Sequence, residues 1–250
     1  MVGYYQTWSA RWAGSGANLD LAKIPGVHIY TRCMGQQMAV QCSPVQCVSS
    51  SIAEHYPTSR PAVCPLAAYV NVVVVSFVKP DCTYTKGSLA FSGTGLDFSS
   101  TGEVVRDAIK TLKASNPNVR VLLAVGGATY TNFANMNTQA IRDIVDDFGY
   151  DGVDLDYEPA ASCTSGGGTV SCATDAESVV VTAALRAALP KGQYILSTAS
   201  WHVGMYGEGA FANAKPGSAY TGVNLAMAKS SAGQELDLIN IMTVRCAWGV

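Results

Sequence analysis

Tyr150-Asp151-Gly152-Val153-Asp154-Leu155-Asp156-Tyr157-Glu158-Pro159 is the stretch whose reading decides the fold. Asp154, Asp156 and Glu158 stand two residues apart, with Leu155 and Tyr157 between them and Val153 just before. Successive side chains of a β-strand point to opposite faces, so the three carboxylates share one face and the apolar residues take the other. Like charges crowded on one face do not all ionise easily, and at least one pKa is expected to rise. A carboxyl group that keeps its proton near neutral pH can serve as a general acid. Two blander readings compete: a solvated acidic edge, and three carboxylates holding a hard cation. The buried type of strand argues against the first. The lack of further ligands nearby argues against the second, and no metal or other cofactor is assigned.

Outward from this strand the chain alternates between two periods. Residues 2–8, 69–78, 119–125, 194–201 and 236–243 read as further strands, and 69–78 is an unbroken apolar run of the kind buried on both faces. Residues 101–115, 132–148, 173–189 and 222–231 read as helices from the spacing of their apolar residues, and 18–24 as a short helix or turn. Strand-helix alternation predicts βα units and a parallel sheet. Six strands suit either a doubly wound sheet or an incomplete barrel, and both folds bind ligands at the C-terminal ends of their strands.

The bulk numbers narrow the function. Hydrophobic residues make up 48% of the 250 and charged residues 14%, with a net charge of −2. Such a balance leaves no electrostatic footprint for nucleic acid or an anionic membrane and suits an uncharged substrate. No apolar run is long enough to span a bilayer, and no basic-then-apolar leader is visible at the start. Of the eight Cys, Cys163 and Cys172 flank Gly166-Gly167-Gly168 and read as a local disulfide; Cys33, Cys42, Cys47 and Cys64 lack zinc-ligand spacing. His28, His55 and His202 are scattered and read as structural or surface residues, while Trp8, Trp12 and Trp201 suit either sugar stacking or core packing.

Asp151-Gly-Val-Asp154-Leu-Asp156-Tyr-Glu158 resembles the D-G-x-D-x-D-x-E signature of the family-18 glycoside hydrolases, the chitinases and their relatives. Leu122-Leu-Ala-Val-Gly126-Gly127 resembles that family's third-strand element, Val2-Gly-Tyr4-Tyr its first strand, and Asn240-Ile-Met242-Thr the start of its M-x-Y-D motif. The resemblance implies a (β/α)8 TIM barrel, of which about six βα units are present here. It also implies retaining hydrolysis of β-1,4-linked N-acetylglucosamine polymers by substrate-assisted catalysis. Glu158 would protonate the glycosidic oxygen, Asp156 would hold the substrate acetamide, and Asp154 would modulate Asp156. Tyr4, Met242, Gly126 and Gly127 would line the sugar site. A monomer outside the cell, with chitin or its oligosaccharides as partner, is the corresponding expectation. An inactive chitin-binding lectin and an endo-β-N-acetylglucosaminidase acting on N-glycans are the alternatives. The chain departs from the pattern at Ala124, where the family usually has Ser, and at Val244-Arg245, which replace Tyr-Asp.

Family-like sequence breaks off at Gly26, resumes at Tyr69 and stops after Thr243. Each foreign stretch opens with Val, at Val27 and Val244, and every Val codon begins with the bases that open nearly all eukaryotic introns. Joining 23–25 directly to residue 69 would give the short connection expected between βα elements. Residues 27–68, which show no sustained period, and 244–250 therefore read as translated intron sequence; the plain alternative is a genuine Cys-containing insertion and short tail.

Overall fold

The computed structural model describes residues 2–7, 10, 12–23, 70–211 and 220–242, with the backbone of short strands between 31 and 47. The expectations for Trp8, His28, His55, Cys64 and the tail 244–250 lie outside the described residues. Within 27–68 the described pieces are two short antiparallel pairs, Thr31–Cys33 with Gln36–Met38 and Cys42–Ser43 with Gln46–Cys47. These replace the wholly irregular reading of that segment.

Six parallel strands carry the fold: β1 (Val2–Gln6), β2 (Val72–Val78), β3 (Arg120–Gly126), β4 (Gly152–Asp156), β5 (Ile195–Trp201) and β6 (Leu238–Met242). They lie side by side in chain order, each parallel to the next. A doubly wound sheet reverses its strand order at a switch point, and this sheet never does. The choice left open by periodicity resolves to an incomplete TIM barrel. One contact shows the curl. The Tyr4 hydroxyl on β1 donates to Asp154 Oδ2 on β4, three strands away along the sheet. In a flat sheet three spacings of about 4.8 Å would put those strands about 14 Å apart, beyond a tyrosine's reach. The sheet therefore wraps around its inner face.

The helices follow the apolar spacing of the sequence. α1 (Gly102–Ser115) buries Val105, Ala108, Ile109 and Leu112; α2 (Thr138–Phe148) buries Ile141, Ile144, Val145 and Phe148; α3 (Asp175–Ala188) buries Val181 and Leu185. α2 starts later than the periodicity from 132 predicts. Phe133–Asn135 form a separate 3-10 turn, and Asn137 caps the helix by accepting the Ala140 N–H at 3.1 Å. α4 is only Leu225–Lys229, shorter than the 222–231 reading.

Two layers result. Outward-facing Val73, Val75, Val121, Leu123, Val125, Val153, Leu155 and Leu196 form the main core with the helix faces. The inner face carries a much smaller cluster of Val72, Val74, Leu122 and Ala124. β6 closes the described sheet, and Leu238, Ile239 and Ile241 there are 37%, 46% and 50% exposed. Among the described residues no helix is long and apolar enough to cross a membrane.

Two details seat the acidic strand. Asp151 Oδ2 accepts the Val121 N–H at 2.7 Å and pairs with Lys113 Nζ at 2.8 Å, pinning the start of β4 to β3 and α1. Gly152 is required by close approach: a Cβ there would sit 1.9 Å from the Ile195 carbonyl oxygen on β5. Beyond the strand, the expected Gly-rich loop is a hairpin of Cys163–Gly166 and Thr169–Cys172. Its ends, Cys163 and Cys172, are register partners joined by the expected disulfide.

Candidate active site

Register explains how the sheet makes room for its acids. Asp154 lies between Ala124 on β3 and Ser197 on β5, and Asp156 lies between Gly126 and Ala199. Small neighbours on both sides leave the carboxylates space on the inner face. Asp154 and Asp156 are buried, whereas Glu158, just past the end of β4, is half-buried. Thus the three acids do share one side, but the outermost stands on the loop rather than on the strand.

The trio is coupled. Burial pushes Asp156 well above the ordinary carboxylate range, and the charges of Glu158 and Asp154 push it further. Its carboxyl hydrogen-bonds to Glu158, an interaction that favours the proton on Asp156 and draws Glu158 back down. Burial still leaves Glu158 above its usual value. Asp154 is also raised by burial, but hydrogen bonds from Ser197, Tyr4 and Asn240 oppose the rise. Asp156 Oδ1 is buried and has no hydrogen-bond partner among the described residues. A buried carboxylate oxygen without a donor is a position waiting for one.

Among the other residues singled out by sequence, Tyr4 joins the acids directly through its hydroxyl bond to Asp154. Burial first, and then the charges of Asp154 and Asp156, hold its pKa well up, so it stays a donor. Its ring leans on Phe77 at 6.4 Å. Gly126 has φ +109°, and a Cβ there would lie 2.2 Å from the Asp156 carbonyl oxygen. The Gly127 N–H donates to that same oxygen at 2.8 Å. The glycine pair therefore holds β3 tightly against the end of the acidic strand. Met242 is half-buried beside Trp201, its register partner. Trp201 stacks on Tyr220 with ring centroids 3.9 Å apart, whereas Trp12 is 72% exposed. His202 is exposed.

Two site residues escaped the sequence reading. Ser197 Oγ donates to Asp154 Oδ1, and Asn240 Nδ2 donates to the same oxygen at 2.7 Å. Asn240 stood inside the motif from which Met242 was chosen. A strand parity count would have placed both on one face, but only the register reveals which of them meets Asp154.

A further support acts from behind. The Tyr157 hydroxyl donates to Glu177 Oε2 on α3 at 2.6 Å, and its ring packs on Phe133 at 4.8 Å. The residue between Asp156 and Glu158 is thereby anchored in the outer layer. Among the described residues no group of three His, Cys, Asp or Glu side chains converges as a metal cage.

Fold and site together define a barrel-type protein that gathers coupled carboxylates at the inner face of its sheet. The profile of glycosyl hydrolases family 18 matches residues 49–248, and the chain belongs to that family. A chitinase of Plasmodium falciparum is 38% identical over 104 residues, covering 37% of this chain and 27% of that protein. Among solved structures, a family-18 chitinase from Cycas revoluta in complex with (GlcNAc)3 aligns with a TM-score of 0.50 and 14% identity, covering 96% of this chain and 54% of that one. A family-18 chitinase from Pseudoalteromonas aurantia aligns with a TM-score of 0.42 and 23% identity, over 70% of this chain and 61% of that one. The chain thus spans 54% to 61% of the length of these two solved relatives.

Proposed function

We propose that the protein is a chitinase-like retaining hydrolase of β-1,4-linked N-acetylglucosamine polymers, working by substrate-assisted catalysis. The observation that carries the reading is the buried Asp156 Oδ1, unpartnered among the described residues, on a carboxyl that also hydrogen-bonds to Glu158. An acetamido N–H is the donor this oxygen suits. Holding that N–H aims the acetamido carbonyl at the anomeric carbon. As the carbonyl oxygen bonds to that carbon, the glycosidic bond breaks and Glu158 gives its proton to the leaving oxygen. The resulting oxazolinium ion is positive, and the Asp154–Asp156 side of the site supplies the compensating negative charge. Water then attacks the anomeric carbon, loses a proton to Glu158, and restores the acetamide and the acid. Two carboxyl groups in this scheme act without a covalent enzyme intermediate.

Tyr4, Gly126, Gly127 and Met242 are assigned to the walls that receive the sugar. The Cys163–Cys172 disulfide supports an oxidising compartment, and we place the protein outside the cell as a monomer. The test is release of fluorophore from a chitobioside by the chain, compared with Glu158→Gln. Turnover should vanish in the variant while N-acetylglucosamine oligosaccharides still bind. Retained turnover would overturn the assignment of the acid, and cleavage of a high-mannose glycopeptide instead of chitobioside would move the substrate to N-glycans.

A further inference from the structure

Asp154 is the most enclosed of the three acids, with no exposed surface. Donors from three strands converge on it. The Tyr4 hydroxyl of β1 takes Oδ2, while Ser197 Oγ of β5 and Asn240 Nδ2 of β6 both take Oδ1. Asn240 Nδ2 also lies 3.4 Å from Ser197 Oγ, so amide and hydroxyl brace each other. A carboxylate only accepts hydrogen bonds, whereas a carboxylic acid must also donate one, and an amide nitrogen can only donate. Such bonds are strongest when the acceptor is ionised.

We propose that Asn240 and Ser197 are positioning residues that fix Asp154 as the standing anion of the trio, leaving the mobile proton to Asp156 and Glu158. The proposal rests on the functional reading above, because it assigns roles within that proton inventory. It also gives the edge strand a duty. Asn240 is the register partner of Ala199, so docking of β6 onto β5 is what delivers the amide to Asp154. Among the described residues the titratable groups that interact with Asp154 are Tyr4 across the sheet and Asp156 on its own strand, and Glu158 acts on Asp156 in turn. Asp156 is nearly as buried but lacks such donors, and it is the acid pushed furthest up.

The experiment is a carboxyl-carbon NMR titration of the full chain labelled at Asp, with Asp154→Asn identifying the resonance. Asn240→Leu should move the Asp154 midpoint up by about one to two pH units, the equivalent of one charge-assisted hydrogen bond. Ser197→Ala should move it in the same direction, and Ser197→Thr, which keeps the hydroxyl, should return it toward the parent. An Asp154 midpoint unchanged in folded Asn240→Leu or in Ser197→Ala would overturn the proposal. Should Asn240→Leu not fold, Ser197→Ala decides alone, since it removes a single oxygen. The readout needs no turnover, so an inactive parent chain would count against the hydrolase reading and leave this result standing.

Discussion

Asp156→Asn should make the protein more stable at neutral and higher pH. The side chain is 3% exposed, and its Oδ1 has no partner among the described residues. Burial, then the charges of Glu158 and Asp154, raise its folded pKa well above the ordinary value. The sign follows from linkage. Below about pH 4 the carboxyl is protonated in both folded and unfolded chains and costs nothing. As pH rises, the unfolded chain releases its proton first, and stability falls until the folded carboxyl also ionises. Asn keeps the shape and can still donate to Glu158, but it has no proton to lose. Removing a poorly compensated buried charge should therefore be worth about 1–3 kcal/mol above neutrality. For a chain of this size that is roughly 2–4 °C in Tm per kcal/mol. Urea unfolding of both proteins between about pH 3 and pH 8 is the assay, since that range spans the ordinary carboxylate titration. The two stability curves should meet at the acid end and diverge upward. A gap that stays constant with pH, or a variant less stable at the alkaline end, would refute the reasoning.

Further outcomes can be checked alongside. Gly126→Ala forces a Cβ to within 2.2 Å of the Asp156 carbonyl at φ +109°; chemical denaturation should show a loss of about 2–4 kcal/mol. The double change Cys163→Ser, Cys172→Ser opens a link spanning nine residues in sequence, and loop-closure entropy puts the loss at about 2–3 kcal/mol, readable by the same denaturation. We also propose that 27–68 and 244–250 are translated introns, although the family match over 49–248 reaches into both stretches; reading transcripts across both junctions should show the two stretches removed, and a dominant message retaining both would defeat the idea.

Much of this architecture was legible because its signals are local. The 2-residue spacing of Asp154, Asp156 and Glu158 needs only strand geometry, and the apolar spacing of α1 and α3 needs only the helical period. The late start of α2 was missed because the apolar residues from Phe133 continue a helical spacing across the Asn137 cap. Strand order was not legible, because the same alternation serves two folds. The cradle of Asp154 was hidden for a different reason. Tyr4, Ser197 and Asn240 are 150, 43 and 86 residues away in sequence, and their meeting depends on curl and register together. No local pattern encodes either one.

The division between the two faces of the sheet has a consequence for how the molecule responds to change. On the outer face, strands and helices bury Leu123, Ile144, Leu155 and Leu185 completely, and that layer supplies most of the hydrophobic stabilisation. On the inner face Asp154 is met by two hydroxyls and an amide and Asp156 by the Glu158 carboxyl, with opposing charge absent from the interactions that set their pKa values. The inner face is therefore a net cost that the outer layer must offset. Truncating an outer residue such as Leu155 should lower stability at every pH by a similar amount. Neutralising an inner acid should do the reverse and only where the acid would ionise. That opposition is what an arrangement selected for chemistry, and not for packing, would produce.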